Sequence, residues 1–296
     1  MMGACKNLQE IENVYQNFKE ANVTCQSDLC VEYIGVNFSE DVTINPVFKV
    51  YYKTRKSLEY ISPIILPLKD SDMIRVLNRI DDNINKGVRY EIGLKNRTNK
   101  NMMSLYDYLY EIMPNLKMYR AEIRRFEAIR CSDLADFRYS SLYFVGIIGE
   151  NNCGNEFVKA IKLHYLLRKC LDPEKIGKDY VVDNKVWLDT LVLLGISEIK
   201  QISLLIEELL RYDDAELWIV AVDYYHTIVK YKIYLKKIQN SLILRMIRLF
   251  EDNGYVNLAM QIRAYLEWSE FHSELCVYGI AICLDNNGVW SVNFYH

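Results

Sequence analysis

The sequence lacks the features that mark several common classes of protein. Its 36 Lys and Arg residues against 39 Asp and Glu give a formal net charge of -3, without the basic excess of a general nucleic-acid binder. No apolar run reaches the roughly 18 residues that a membrane span requires. Residues 1–10 contain no apolar core of a signal peptide. We therefore expect a cytoplasmic protein that binds neither nucleic acid nor membrane.

The sequence also lacks the usual motifs of metal sites. None of the eight cysteines forms a Cys-x-x-Cys pair, so zinc is not expected. We interpret the cysteines as reduced thiols that mostly fill the core. There is no Asp-Asp-x-x-Asp box, because Asp70, Asp72 and the Asp81-Asp82 pair are isolated. We therefore expect no metal bound by the protein.

What the sequence does contain is a short alternating pattern that recurs four times. The copies are Phe48-Lys49-Val50-Tyr51, Ile161-Lys162-Leu163-His164, Tyr231-Lys232-Ile233-Tyr234 and Val292-Asn293-Phe294-Tyr295. Successive side chains of a strand point to opposite faces, so each copy places polar and aromatic groups on one face and mainly apolar groups on the other. A sheet of such strands can close on a polar, aromatic-lined interior, where we expect the functional site.

The copies fall at the ends of predicted hairpins that alternate with helices. The predicted strands are 31–38, 47–54, 88–94, 142–148, 157–166, 216–223, 228–236, 276–284 and 290–295. The predicted helices are 8–21, 102–113, 184–194, 197–211, 241–251 and 257–268. Five such units supply about ten antiparallel strands, and closure into a barrel removes exposed edges. Nothing marks a domain boundary, so we expect one domain, 1–296.

Two further predictions fall in the region where the pattern is hardest to interpret. Residues 56–86 carry two helical patterns, the second built on Met73, Val76, Leu77 and Ile80. Residues 118–126 alternate like a strand and form part of a degenerate repeat unit.

This repeated plan resembles the ABBA-type (PT-barrel) aromatic prenyltransferases, and the chain length is closest to the cyanobactin peptide prenyltransferases. The resemblance implies an α+β fold: a ten-stranded antiparallel barrel of repeated αββα units with helices around the outside. It implies transfer of a dimethylallyl or geranyl group from its diphosphate to an electron-rich aromatic acceptor, a small molecule or a peptide, inside the barrel. It also implies a monomer that requires no cofactor, with Mg²⁺ assisting the diphosphate.

The resemblance assigns roles to residues that match the family pattern. Glu32, near the start of the first strand, stands where the family places its general base. The diphosphate-binding cations are Lys49, Arg120, Arg124, Lys162, Lys230 and Lys232. The residues that shield the prenyl cation are Tyr51, His164, Tyr234, Asn293 and Tyr295. The chain departs from the pattern where His164 replaces a tyrosine and Asn293 replaces a cation.

The chemistry explains why these residue types would be needed. Preorganised Lys and Arg groups stabilise the charge that grows on the leaving diphosphate. Aromatic faces attract the allyl cation by roughly 0.5–2 kcal/mol each and exclude water, and a carboxylate such as Glu32 can take the acceptor's proton. Several cations around one cavity repel one another unless an anion binds there.

Other interpretations remain open from sequence. A single alternation of Lys and Tyr is typical of a solvated sheet face, and Arg120, Glu122 and Arg124 also fit a surface ladder of paired charges. The same lysines fit a non-catalytic barrel that binds an amphipathic anion, which would need no carboxylate inside. A helix-rich scaffold would instead show its tyrosine-rich faces outside, on an open sheet.

Overall fold

The structure, a computed structural model, describes only part of the chain. The described residues are 29–41, 47–54, 74–79, 88–95, 102–124, 142–152, 155–166, 205, 208–209, 216–236, 238–270, 277–285 and 288–296. The predicted helices at 8–21 and 184–194 lie outside these residues. In this part of the chain, no helix is long and apolar enough to cross a membrane.

The described elements are mostly strands. The strands are β1 (Leu29–Ser39), β2 (Val47–Thr54), β3 (Ile74–Arg79), β4 (Val88–Lys95), β5 (Leu142–Asn152), β6 (Asn155–Leu166), β7 (Glu216–Tyr225), β8 (Val229–Lys236), β9 (Gly279–Asp285) and β10 (Gly288–Tyr295). The helices are α1 (Met102–Ile112), a 3-10 helix (Pro114–Tyr119), α2 (Asn240–Asp252) and α3 (Val256–Glu270).

The strands pair antiparallel, each with its neighbours in the sequence. β1 also pairs with β10, with Gly35 opposite Tyr295 and Phe38 opposite Val292, so the order of pairing closes on itself. Side-chain burial is described for parts of β5 to β10 and of β1, whereas β2 to β4 are described by their backbone pairing. The predicted antiparallel, curled sheet with associated helices is confirmed.

The hydrophobic core lies between one face of this sheet and the helices. Alternate strand residues contribute to it, among them Val222 of β7 and Ile233 of β8. In α2 the buried residues recur on one stripe of the helix, namely Leu242, Ile243, Met246, Ile247 and Phe250. The opposite face of the sheet is therefore left for polar groups.

The junction of β1 and β10 is anchored to α3. The ring of Tyr265 lies edge-on to the rings of Phe38 and Phe294, with centroids 5.3 and 5.9 Å away. A carboxylate oxygen of Glu40 accepts a hydrogen bond of 2.9 Å from the backbone N–H of Leu258, in the first turn of α3. A negative charge stabilises the positive end of a helix dipole, so Glu40 fixes α3 against the end of β1.

The helix predicted around residues 73–80 is wrong in the part that the structure describes. Residues 74–79 form β3, which pairs with β2 and β4. A short run rich in Ile, Val and Leu fits both periods, and pairing with the two flanking strands decides the outcome.

The strand predicted at 118–126 is also wrong where it is described. Pro114 stands in the first turn of the 3-10 helix, and residues 120–124 continue as a helix. Leu116 and Ile123 are buried and seven residues apart, about two helical turns. The helical spacing of these two buried residues therefore decides the local structure, and the alternation of charges that favoured a strand does not.

Candidate functional site

The buried polar side chains of the described residues lie on one face of the sheet. They are Ser39, Lys162, His164, Asp223, Lys232, Ser291 and Asn293. Cross-strand pairing places Lys162 beside Asp223, and Ser291 beside Ser39. Directly paired residues point to the same side of a sheet. We call this face, opposite the core and the helices, the polar face.

An ion pair is buried at the centre of the polar face. Asp223 of β7 is 1% exposed and Lys232 of β8 is 7% exposed, and the Lys232 ammonium donates a hydrogen bond to Oδ2 of Asp223. In the register, Asp223 lies opposite Lys162 of β6 and Lys230 of β8. Three lysines from two strands therefore surround one carboxylate.

The ion pair determines the charge state of both partners. Burial alone would raise the pKa of Asp223, but the charges of Lys232, Lys162 and His164 outweigh it and hold this pKa below its ordinary value. Burial alone would lower the pKa of Lys232, but the Asp223 carboxylate raises it well above its ordinary value. Both groups are therefore ionised at neutral pH.

Lys230, the second residue of β8, lies between two aromatic rings. Its Nζ is 3.6 Å from the centroid of the Trp290 ring and 5.8 Å from that of Tyr225. Burial is the main cause of a lowered pKa, and the nearby charge of Lys232 contributes in the same direction. Lys230 is a cation held by aromatic faces, with no direct carboxylate partner among the residues that the structure describes.

Aromatic side chains continue the polar face beyond the lysines. His164 Nε2 and the Tyr234 hydroxyl are hydrogen-bonded at 3.2 Å, and the ring of Phe144 lies edge-on to His164 at 5.0 Å. The rings of Tyr234 and Tyr295 are stacked with centroids 6.0 Å apart. Burial raises the pKa of Tyr295 well above its ordinary value, and the neighbouring Tyr234 adds to the effect. Tyr295 is therefore a neutral phenol.

A network of neutral hydrogen bonds crosses the junction of β1, β10 and β9. Asn37 donates to Asn293 Oδ1 at 2.9 Å and to the Ser291 hydroxyl at 3.2 Å. Asn293 in turn donates to Cys283 Sγ at 3.0 Å. Asn293, predicted to shield a prenyl cation, is thus held in an amide–hydroxyl–thiol network.

Most of the predicted site residues on the described strands lie together. Lys162, Lys230, Lys232, His164, Tyr234, Asn293 and Tyr295 belong to the polar face. The backbone of Lys49 pairs with Gly35 and that of Tyr51 with Tyr33. Glu32 stands at a register shift between Val31 and Tyr33. The side chains of Lys49, Tyr51 and Glu32 lie outside the described residues.

Arg120 and Arg124 are not brought to this cluster. Both are exposed on the helical segment 120–124 rather than aligned on a strand. The same segment places Glu122 against the hydroxyl of Tyr224 at 3.4 Å, and Tyr224 belongs to the hydrophobic core on the other face of the sheet. The predicted strand that would have carried both arginines to the polar face is therefore wrong, because they lie on a helical segment.

Sequence reasoning missed residues that prove central to the polar face. Asp223 is an isolated acid in an otherwise mostly apolar strand, and it lies on the same face of β7 as Ala221, two residues earlier. An acid in such a strand is a signal that could have marked it as a candidate site residue. Cys283, Asn37 and Trp290 carry no comparable pattern. Among the described residues, no three His, Cys, Asp or Glu side chains lie close enough to hold a metal ion.

Sequence comparison identifies no relative: no family model and no curated protein matches the chain. Structure comparison does. One similar structure is the 6-dimethylallyltryptophan synthase from Micromonospora olivasterospora in complex with DMASPP and Trp, with a TM-score of 0.52 and 9% identity over 91% of this chain and 81% of that chain. Another is the 5-dimethylallyltryptophan synthase from Streptomyces coelicolor, with a TM-score of 0.50 and 8% identity over 90% and 80%.

The chain shares its fold with these two enzymes. Both are ABBA-type aromatic prenyltransferases. At 8–9% identity the likeness concerns the fold alone. The function has to be argued from the polar face.

Proposed function

We propose that the protein is an aromatic prenyltransferase that moves a dimethylallyl or geranyl group from its diphosphate to an electron-rich aromatic acceptor. The observation that carries the proposal is the grouping of Lys162, Lys230 and Lys232 with Tyr234 and Tyr295 on the polar face. The shared fold with two tryptophan prenyltransferases supports it.

The lysines supply what an allylic diphosphate needs. When its C–O bond breaks, negative charge grows on the leaving diphosphate while positive charge spreads over the allyl group. Fixed ammonium groups in a site screened from water stabilise the leaving group in the transition state. Lys162 and Lys232 are buried and Lys230 is half-buried, so their charges act in a medium less polar than water. We assign Lys49 of β2 to the same set.

The aromatic residues supply what the allyl cation needs. Tyr234 stands two residues after Lys232 on the same face of β8, and Tyr295 stacks on it from β10. Tyrosine faces attract a cation by roughly 0.5–2 kcal/mol each, and the rings keep water from the cation. We assign His164 and Tyr51 to the same wall, with Asn293 as its polar edge.

The acceptor must lose a proton after the new bond forms. We assign this step to Glu32, which stands at an irregularity of the β1–β2 pairing, because bulges of this kind occur next to active sites. Glu32→Gln is expected to slow turnover and leave donor affinity unchanged. Turnover at the wild-type rate would place the base elsewhere.

The finer features of the assignment follow the same reasoning. We propose that the ten strands form one complete PT barrel of αββα units spanning a single domain, 1–296. We propose an aromatic small molecule or an aromatic side chain of a peptide as the acceptor. The reaction requires no cofactor held by the protein, and Mg²⁺ assists by binding to the diphosphate.

The test is to incubate the protein with dimethylallyl or geranyl diphosphate and a panel of aromatic amino acids and tyrosine- or tryptophan-containing cyclic peptides. Mass spectrometry should show products heavier by one prenyl group. Lys162→Ala and Lys49→Ala should lose turnover with unchanged circular dichroism. Arg248→Gln, a charge change on the exposed side of α2, is the matched control and should keep it.

Two results would contradict the proposal. Full activity in both lysine variants would remove the diphosphate assignment. Saturable binding of the prenyl diphosphate without any prenylated product from the whole panel would favour the non-catalytic barrel that binds an amphipathic anion.

A further inference from the structure

The polar face contains a group that a simple anion site would avoid. Asp223 is a buried carboxylate among the lysines to which we assign the diphosphate. It accepts a hydrogen bond from Lys232 through Oδ2. Its other oxygen, Oδ1, is buried and has no hydrogen-bond partner among the residues that the structure describes.

This geometry differs from that of a purely structural carboxylate. Buried polar atoms are usually satisfied by donors, and an orphan oxygen is costly. Asp223 is held mainly by charge, through its contact with Lys232 and its proximity to Lys162 and His164. A ligand that competes for these cations therefore competes directly with Asp223.

We propose that Asp223 is an internal competitor of the diphosphate: it holds Lys232 in the empty site, shares Lys232 with the bound diphosphate, and recovers it when the product diphosphate leaves. This inference rests on the proposed function. It adds a positioning residue whose effect is to keep diphosphate binding weak enough for release.

The physical reason is the cost of burying a charge without a partner. Lys232 is 7% exposed, so its ammonium needs a permanent counter-ion while no substrate is present. An ammonium has three donors and can contact a phosphate oxygen while it still contacts Oδ2. The bound state then places two anions near each other, which raises its free energy. Diphosphate therefore binds less tightly than it would to the same three lysines without Asp223.

Two other roles for Asp223 predict different results. A general base would leave diphosphate affinity unchanged and lower only the rate of transfer. A purely structural residue would weaken diphosphate binding when replaced, because the lysines would lose their positions. Only competition predicts that removal of the negative charge tightens binding.

The experiment measures the binding of inorganic diphosphate by isothermal titration calorimetry. Asp223→Asn should bind it at least about tenfold more tightly than the wild type, equivalent to about 1.4 kcal/mol. Product inhibition of turnover by diphosphate should strengthen by a similar factor. Affinity equal to or weaker than that of the wild type would overturn the proposal.

Two control variants isolate the cause. Glu251→Gln also removes one negative charge, from an exposed pair with Arg263 on the outer helices, with N···O at 2.6 Å. It should leave diphosphate affinity within about twofold of wild type, because exposed pairs are screened. The double variant Asp223→Asn with Lys232→Gln should lose the increase in diphosphate affinity that Asp223→Asn produces alone, because that increase depends on Lys232.

The stability of the variant gives a second readout. Asp223→Asn leaves Lys232 unpaired, so the variant should be less stable without ligand and gain more thermal stability from diphosphate than the wild type does. If the variant folds only when purified with diphosphate, the anion has replaced the carboxylate, as proposed. If diphosphate fails to rescue such a variant, the proposal is wrong.

Failure of this inference and failure of the proposed function give different results. If diphosphate binds neither the wild type nor Asp223→Asn, the diphosphate site itself is wrong. If the wild type binds it and Lys162→Ala weakens the binding, but Asp223→Asn binds no more tightly, only the competition is wrong.

Discussion

His164 of β6 and Tyr234 of β8 are hydrogen-bonded at 3.2 Å across the strand that separates them. The intervening strand β7 presents Ala221 at this level, paired with His164 on one side and with Lys232 on the other. The methyl group of Ala221 is small enough to let the two side chains meet above it. The contact joins two hairpins on the polar face, and it orients the Tyr234 ring.

This contact predicts that the ring of Tyr234 matters more than its hydroxyl. Tyr234→Phe keeps the aromatic face and loses the hydrogen bonds of its hydroxyl to His164 and Tyr295, each worth about 1 kcal/mol. Because the face remains, prenyl transfer should stay within about fivefold of wild type. Tyr234→Ala removes the face that stabilises the allyl cation. Its ratio of prenyl alcohol to prenylated product should rise at least about tenfold, measured by chromatography of both products. Equal ratios in the two variants would show that the ring does not shield the cation.

The Asp223–Lys232 pair predicts how stability depends on pH. The folded pKa of Asp223 is lowered, so its contribution is fully present above its unfolded pKa of about 3.9 and is lost as pH falls through the folded value. The folded pKa of Lys232 is raised, so its contribution is present below about pH 10.4 and is lost as pH rises through the folded value. The pair should therefore be intact between roughly pH 5 and pH 10.

Urea unfolding checks this prediction. At pH 7, Asp223→Asn should unfold with a free energy about 3 kcal/mol below that of the wild type, because it leaves a buried ammonium unpaired. The difference should shrink towards pH 3, because the Asp223 carboxylate becomes protonated first in the unfolded wild type and so favours unfolding. A difference that stays constant from pH 7 to pH 3 would mean that folding does not lower the pKa of Asp223.

The placement of the cations predicts which of them bind diphosphate. Lys162 is buried beside Asp223, whereas Arg120 and Arg124 are exposed on a helical segment whose inner side packs on the opposite face of the sheet. Lys162→Ala should weaken diphosphate binding at least about tenfold, and the double variant Arg120→Ala with Arg124→Ala should change it less than about twofold. A large loss of diphosphate affinity in the double variant, with unchanged circular dichroism, would show that these arginines do bind the diphosphate.

The alternating pattern was sufficient to predict the polar face along single strands. In β8 the order Lys230, Lys232 and Tyr234 follows the two-residue period, and the structure keeps all three on one face. The pattern failed where it was short. Residues 74–79 fit a helix and a strand equally well, and Pro114 started a helical turn that the alternation of Arg120, Glu122 and Arg124 concealed.

The partner of Lys232 was harder to predict because an ion pair depends on register. The hairpin places Asp223 directly opposite Lys230, yet the ion pair runs diagonally to Lys232. The pairing of Asp223 with Lys162 joins strands that are separated by a long connection, so no local signal sets it. An isolated acid in an apolar strand opposite two lysines marks the position, but only the three-dimensional fold shows how many cations surround it.

The contact between Lys230 and Trp290 makes diphosphate binding visible by fluorescence. The ammonium lies 3.6 Å from the centroid of the indole ring, and an arriving diphosphate should draw it away from the ring. Titration with inorganic diphosphate should therefore change the tryptophan emission in a saturable way, with the same dissociation constant as calorimetry gives. Trp290→Phe should abolish most of the change, although three other tryptophans remain in the chain. Trp268→Phe, on the outer helix α3, is the matched control and should keep it. A change of full size in Trp290→Phe would show that the contact between Lys230 and Trp290 does not report diphosphate binding.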